Sequence, residues 1–543
     1  MARMRTTVTD PPLRTHDDVV AAGRDADDQP LPTLRDRLCP PMPDDGVWGW
    51  IGPLLVTAVA GFLRLFELGR PAKFVFDETY YPKDAFGLLN FGVEHQFVDK
   101  VNERILAGDL DVFQGPAFVV HPPAGKWLIA IGEWAFGMNP FGWRVAVAVM
   151  GTLSVLVMAR VVRRMTRSTL LGCVAGFLLA IDGLHLVESR IALLDLPAMA
   201  WLLLAFAALV VDRDWARRRL ADAAEPAGRL SRGSWGPALL WRPWRLVAGV
   251  CFGLAAATKW NAAVVIAGFG LLTWVWDIGA RRAIGSTFAT VANAGRLVLD
   301  AVVAFVTVVG SAVAVYLLSW TGWFASSDGY NRTWAEDHPA SGLARLVPDA
   351  LRSLWHYHAE MLHFHTTLHE EHQYASSPAG WLVIARPVSF DWADKLGPEH
   401  GCAGDNCVQE ILAIGTPVLW WGAVLALAAC GFWWIGMRDW RFGVPLVGVA
   451  TTWLPWFAYT DRPIFYFYAV VILPWLVIAV TLVLGKIIGP ADAPSTRRMW
   501  GAAAAGSFVL LVLLNFAYLH PILTDQVIPY EEWLRRMWFR SWI

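Results

Sequence analysis

Long apolar runs broken by short arginine-bearing segments recur from Trp48 to Leu519. A helix needs about 20 mostly apolar residues to cross the hydrocarbon core of a bilayer. The runs Trp48 to Phe66, Leu297 to Trp320 and Trp500 to Leu519 meet that standard outright. The others are resolved by sidedness. Arginines cluster between Arg160 and Arg167, between Arg213 and Arg245, at Arg281 with Arg282, and at Arg438 with Arg441. Lys486 with Arg497 and Arg498 forms a fifth group. Basic residues mark the cytoplasmic side, so an even number of crossings must separate neighbouring groups. That parity splits 246–276 at Thr258-Lys259-Trp260-Asn261, and 168–211 at His185 to Arg190. The piece 246–258 is only about 20 Å long at 1.5 Å per residue, so Lys259 is expected to lie recessed below the outer surface.

The pattern therefore predicts an all-α polytopic membrane protein with eleven spans: 47–66, 140–162, 168–187, 191–211, 246–258, 261–276, 297–319, 411–435, 442–459, 464–485 and 499–519. The N-terminus is then cytoplasmic and the C-terminus outside, with two large outer segments, 67–139 and 320–410.

Composition agrees with that class. Hydrophobic residues make up 56% of the chain and charged ones 17%, with 31 tryptophans, which excludes an ordinary soluble domain. A net charge of −1 gives no global field for nucleic acid. Residues 1–46 are polar and Pro-rich, and are expected to form a disordered cytoplasmic tail without a cleavable signal peptide. Residues 47–543 form the transmembrane unit. Internal repeats are not visible, which argues against an alternating-access transporter, kept as the alternative of a different class. Cys173, Cys251 and Cys430 fall in apolar spans and Cys39 in the tail, whereas Cys402 and Cys407 fall in the oxidising outer compartment, where a disulfide is expected.

With this topology the chemically notable residues gather on the outer side. The first outer loop holds Phe76-Asp77-Glu78-Thr79-Tyr80-Tyr81 and His121-Pro122-Pro123-Ala124-Gly125-Lys126. The short outer turns hold His185, Glu188 and Arg190, then Lys259, then Asp461 and Arg462. Each cation alone fits an interfacial side chain reaching for lipid headgroups. A carboxylate pair and several cations on one face fit a reaction centre bounded by lipid.

Phe-Asp-Glu-Thr-Tyr-Tyr after the first span resembles the signature of the protein O-mannosyltransferases. So do His-Pro-Pro-Ala-Gly-Lys, Ser189-Arg190-Ile191 running into Leu194-Asp195, Thr258-Lys259-Trp260, and His372-Gln373-Tyr374-Ala375-Ser376. The likeness covers about residue 47 to the C-terminus in the family's order. It implies a GT-C-type glycosyltransferase fold, a polyprenyl-phosphate-mannose donor, and serine or threonine acceptors on exported polypeptides. The second outer loop is too short for the inserted β-trefoil domain of the eukaryotic members, so the chain resembles the bacterial, actinobacterial-like branch. The resemblance implies a plasma-membrane enzyme and leaves association with a translocon open. A related enzyme of the same fold acting on a lipid or glycan acceptor is the nearest alternative.

The chemistry needs a base for the hydroxyl, and charge to receive a departing lipid phosphate. One carboxylate suffices for an inverting displacement, because a phosphate leaving group needs no proton, unlike that of a glycosidase. Asp77 is the expected base, and Glu78 the residue that orients the site or the acceptor. Lys126, Arg190, Lys259 and Arg462 are the expected phosphate ligands. The resembling motifs add His121, Asp195 and His372. Of thirteen histidines, eight lie in 320–410. His358, His365, His369 and His372 would share a face at helical spacing. A divalent metal there is disfavoured against polar contacts to donor or peptide, and no cofactor is expected.

Overall fold

The computed structural model describes residues 33–224, 237–285, 291–402, 404 and 406–543. Among the described residues, seven helices are long and apolar enough to cross a membrane: Trp48–Leu65, Pro140–Thr166, Asp195–Ala224, Ala262–Ala283, Ala294–Ser319, Pro417–Met437 and Ser495–Leu523. An eighth crossing is a bent pair, Thr169–Ala180 and Gly183–Arg190, meeting at 63°. Shorter helices at Pro243–Ala256, Leu473–Ile488 and Trp440–Trp453 occupy the remaining expected spans. All eleven segments are thus helical, while length and apolarity alone license seven or eight crossings.

Local chemistry sets the boundaries. Asn139 caps the long second span by accepting from Gly142 N–H at 3.0 Å, with Pro140 opening the helix, where its missing donor does no harm. The bend expected at His185 to Arg190 comes earlier, at Ile181–Asp182. There the wholly buried Asp182 accepts from His185 N–H, Thr416 N–H and Trp420 Nε1–H at 2.8–3.0 Å. A buried carboxylate must be hydrogen-bonded, so this residue ties the break to the start of Pro417–Met437. A second break follows Arg190, where Ile191–Leu194 runs without helix into Asp195.

Far from the outer loops, Arg242 and Arg245 interlock with Asp212 and Asp277 in a buried network. It joins Asp195–Ala224, Pro243–Ala256 and Ala262–Ala283. Asp212 lies about 26 Å along its helix from Asp195. Such buried pairs specify register more than they add stability. Arg229 and Arg232 of the same basic cluster lie outside the described residues.

Residues 1–32 of the expected tail also lie outside the described residues. The part from Thr33 is not a free tail. Thr33 and Asp36 cap each other across the helix Leu34–Leu38, and Leu38 is buried among Ala216, Leu220, Ala221 and Leu239. Leu34 and Leu38 stand four apart on one helical face, which gives this short segment something to bury.

The outer segments carry the fold's few strands. His95–Phe97 pairs with Phe113–Pro116 in the first. In the second, Val388–Leu396 pairs with Cys407–Ala413, which also receives Ile528–Pro529 from the C-terminal segment. Cys402 and Cys407 are joined by a disulfide at the hairpin's turn. The span expected from 411 begins at Pro417, because residues 407–413 are spent on this sheet.

Candidate active site

Asp77 lies on one 3-10 turn, Phe76–Thr79, beyond the first span. Phe76, just before it, takes a positive φ of 51°. A non-glycine residue pays on the order of 1–3 kcal/mol for such a conformation. Packing holds it there: the Phe76 ring stacks on Phe390 at 4.5 Å and meets Phe467 edge-on at 5.4 Å. Three stretches far apart in sequence thus fix the turn that carries one carboxylate.

Glu78 does something different. It is wholly buried, and Arg144 Nε–H and Nη2–H each donate to it at 2.7 Å. Ala192 N–H and Val75 N–H donate at 2.9 and 3.0 Å. Arg144 spends its other donors on the carbonyls of Leu68, Pro71 and Lys73. Four donors saturate this carboxylate, so it has no oxygen left for a substrate and braces the turn that carries Asp77. Arg144 was overlooked in the sequence, although a lone charge inside an apolar span is itself a signal.

Around Asp77 the structure gathers Lys259, Asp195, His121 and Arg462. Lys259 follows the end of Pro243–Ala256, and its Nζ donates to Asp195 Oδ2 at 2.6 Å while lying 4.7 Å from the Tyr468 ring centre. Burial pushes the Asp77 carboxyl up to about 6, with the Lys259 charge pulling down and Asp195 pushing up. Glu188 is wholly buried nearby, and neither of its oxygens has a partner.

Arg462 donates from Nη1 to His365 Nδ1 at 3.1 Å, and its Nε–H is buried without a partner. His365 Nε2–H donates to the Val120 carbonyl at 2.8 Å. One nitrogen donating and the other accepting makes this a neutral imidazole. His121, 5.3 Å from His365 between ring centres, is likewise held well below the usual histidine range by burial and by the Lys259, Lys126 and Arg462 charges. The cations of the site are therefore Lys259 and Arg462, and the two histidines serve as neutral hydrogen-bonding groups. Tyr81, the last residue of the Phe76–Tyr81 motif, and Tyr468, unremarked in the sequence, complete the wall.

Other expected ligands are committed to partners or stand apart. Lys126 is wholly buried and paired with Glu94. Arg190 caps the end of the first span, donating to the carbonyls of Leu63, Arg64, Phe66 and Glu67. Sequence spacing shows which side such cations occupy, but not the partners that consume them. His372 is exposed, accepting from Tyr374 N–H at 3.2 Å. The helix Asp349–Thr367 ends before His369 and His372, so only His358 and His365 share its face. Among the described residues no group of three or more His, Cys, Asp or Glu is placed to hold a metal ion.

Residues 54–318 match the family described as dolichyl-phosphate-mannose-protein mannosyltransferase, and residues 350–542 match the C-terminal four-transmembrane region of protein O-mannosyltransferases. A polyprenol-phosphate-mannose–protein mannosyltransferase of Mycolicibacterium smegmatis (strain MKD8) is 38% identical over 97% of this chain and 99% of its own length. One of Mycobacterium tuberculosis (strain CDC 1551 / Oshkosh) is 39% identical over 92% and 93%. Among solved structures, the Saccharomyces cerevisiae Pmt1-Pmt2 complex bound to the sugar donor superposes with a TM-score of 0.68 at 14% identity, covering 92% of this chain and 93% of the matched one. That likeness shows a shared GT-C-type fold. With its relatives matched along nearly their whole length, the chain belongs to the dolichyl-phosphate-mannose–protein mannosyltransferase family.

Proposed function

We propose that this membrane enzyme transfers mannose from a polyprenyl-phosphate-mannose donor to serine or threonine hydroxyls of exported polypeptides. The observation that carries the reading is Asp77, a carboxylate without a side-chain partner among the described residues, set within electrostatic reach of the Lys259–Asp195 pair. Relatives with 38–39% identity carry the same activity in their names. Asp77 accepts the acceptor's proton as its oxygen attacks the anomeric carbon. The carbon–phosphate oxygen bond breaks on the opposite face, so the sugar inverts. The phosphate leaves as an anion toward Lys259 and the free Nε–H of Arg462, with His121 as a neutral hydrogen-bonding group. These cations supply the charge that a metal would otherwise provide, so the step needs no metal.

The groove accounts for a lipid carrier. It measures about 990 Å³ and runs between Ala262–Ala283 and Ala294–Ser319, lined by residues such as Ile266, Leu271, Val302 and Phe305. Its polar end is Tyr316, which accepts from Trp260 Nε1–H at 2.9 Å and donates to His358 Nε2 at 2.6 Å. Trp260 directly follows Lys259. A polyprenyl chain lying in the groove thus brings its phosphate to that cation. By the arginine distribution the N-terminus is cytoplasmic, and Asp77 and the C-terminus face outward across the plasma membrane.

Purified protein supplied with polyprenyl-phosphate [14C]mannose and a Ser/Thr-rich peptide tests the reading. Radiolabelled peptide with an anomeric configuration opposite to the donor's, formed equally in EDTA, is the expected result. Label found only on lipid, or retained configuration, overturns it.

A further inference from the structure

None of Asp77, Lys259, Asp195, His121 or Arg462 lines a second cavity, of about 620 Å³, at the outer end of the first span. It is built from that span's end, the hairpin around Gln409, and the chain just beyond the last long helix. A narrow cleft sharing Arg70, Arg190 and Asp525 with it leads inward to Arg144, the partner of Glu78.

Three chemistries meet in its walls. Phe62 and Phe66, 63% and 57% exposed, offer apolar surface continuous with the first span, the kind a bilayer covers. Arg70 and Arg190 supply positive charge. Arg70 is 74% exposed, with Glu67 at 3.2 Å as its one acid. Arg190 donates only to backbone carbonyls, and among the described residues it has no carboxylate partner. A helix C-terminus carries about half a negative charge, so part of the Arg190 charge stays uncompensated at the wall.

The third chemistry is hydrogen bonding. Gln409, Gln526 and His520 line the cavity with amide and imidazole groups. Asp525 adds a carboxylate whose Oδ1 is buried without a partner, on a residue held at a positive φ of 60°. Burial pushes that carboxyl up to about 6. An orphaned buried oxygen calls for a donor from outside the chain.

We propose that this cavity binds the headgroup of a phospholipid whose phosphate bears a polyol. Arg70 and Arg190 take the phosphodiester. Asp525 and the two glutamines take hydroxyls, and the acyl chains lie along Phe62 and Phe66. A choline headgroup is disfavoured, since it has no hydroxyl for Asp525 and brings a fixed cation toward two arginines. The leaflet is the outer one, by the orientation proposed above.

Native mass spectrometry of the full protein, released from nanodiscs of equal parts phosphatidylcholine and phosphatidylglycerol, reads the site without needing transfer activity. One phosphatidylglycerol should be retained in preference, and Arg70→Gln with Gln409→Leu should lower that occupancy about tenfold, as expected for lost hydrogen bonds, one of them to a charged group. The melting temperature reports whether the double variant folds, and Gln526→Leu on the exposed rim serves if it does not. Soluble glycerol 3-phosphate should not displace the lipid at millimolar concentration. Equal retention of both lipids, unchanged retention in the folded variants, or displacement by the soluble phosphate would each overturn the proposal.

Discussion

The position of Asp77 makes a prediction about acidity that few other residues would share. An ordinary aspartyl carboxyl titrates near 3.9, whereas burial holds this one at about 6. A base works only when ionised, so transfer should fall as pH drops through about 6 and level off above it. At pH 5 about one carboxyl in eleven is ionised and at pH 7 about ten in eleven, a tenfold difference in kcat/KM over two units. Lys259 pulls that titration down, so Lys259→Met should move the acid limb to higher pH as well as slow the reaction. Asp77→Asn keeps the size of the side chain and cannot accept the proton. General-base help is worth about 10²–10⁴-fold, so the variant should lose roughly 3–5 kcal/mol of barrier lowering. The assay is initial-rate transfer of [14C]mannose to peptide between pH 4.5 and 8.5, with the lipid donor subsaturating. An acid limb near pH 4 in the wild type, or near-wild-type transfer by folded Asp77→Asn, would refute the assignment.

Glu78→Gln leaves Arg144 buried without its countercharge, and should cost about 3–5 kcal/mol of stability, read as a lowered melting temperature in detergent. Lys126→Ala orphans Glu94 in the same way, so it should destabilise the protein while leaving the donor's apparent affinity in the surviving folded fraction unchanged. Cys402→Ser opens a short loop whose closure is worth on the order of 2 kcal/mol; alkylation mapping should find both thiols blocked in the wild type, and turnover should fall less than stability. An impermeant thiol reagent should label single cysteines in 85–115 and 325–400 from outside but none in 215–240, and the reverse pattern would invert the proposed orientation.

The parts of the fold that sequence reveals are those set by one-dimensional physics. Apolar runs and arginine parity placed a helix in each of the eleven segments, including the break at Lys259, because span length and sidedness act on composition alone. The break at Asp182 was misplaced because its cause is three donors, two of them from Thr416 and Trp420, more than 230 positions away. The hairpin Val388–Leu396 with Cys407–Ala413 was missed for a related reason: its second strand is apolar and abuts a span, and periodicity cannot separate a short buried strand from the start of a helix.

The same distinction governs the site. A motif tells which side of the membrane a charge occupies, and it can do no more, since charges of one kind on one face compete for the same few opposite partners. Lys126, Arg190, Lys259 and Arg462 looked equivalent by that measure. Glu94 takes the first, and the carbonyls ending the first span hold the second by its terminal nitrogens, at a cavity away from Asp77. Lys259 has a partner too, Asp195, yet that pair stands beside Asp77 rather than behind it in a sealed core, and so still acts on the base. Only Arg462, among these four, has a buried nitrogen with no partner at all. What separates a ligand from a brace is thus the donor left over once the fold has satisfied itself. That remainder is a property of tertiary pairing, which is why Glu78, adjacent in sequence to the proposed base, is spent on Arg144 while Asp77 is left open to substrate.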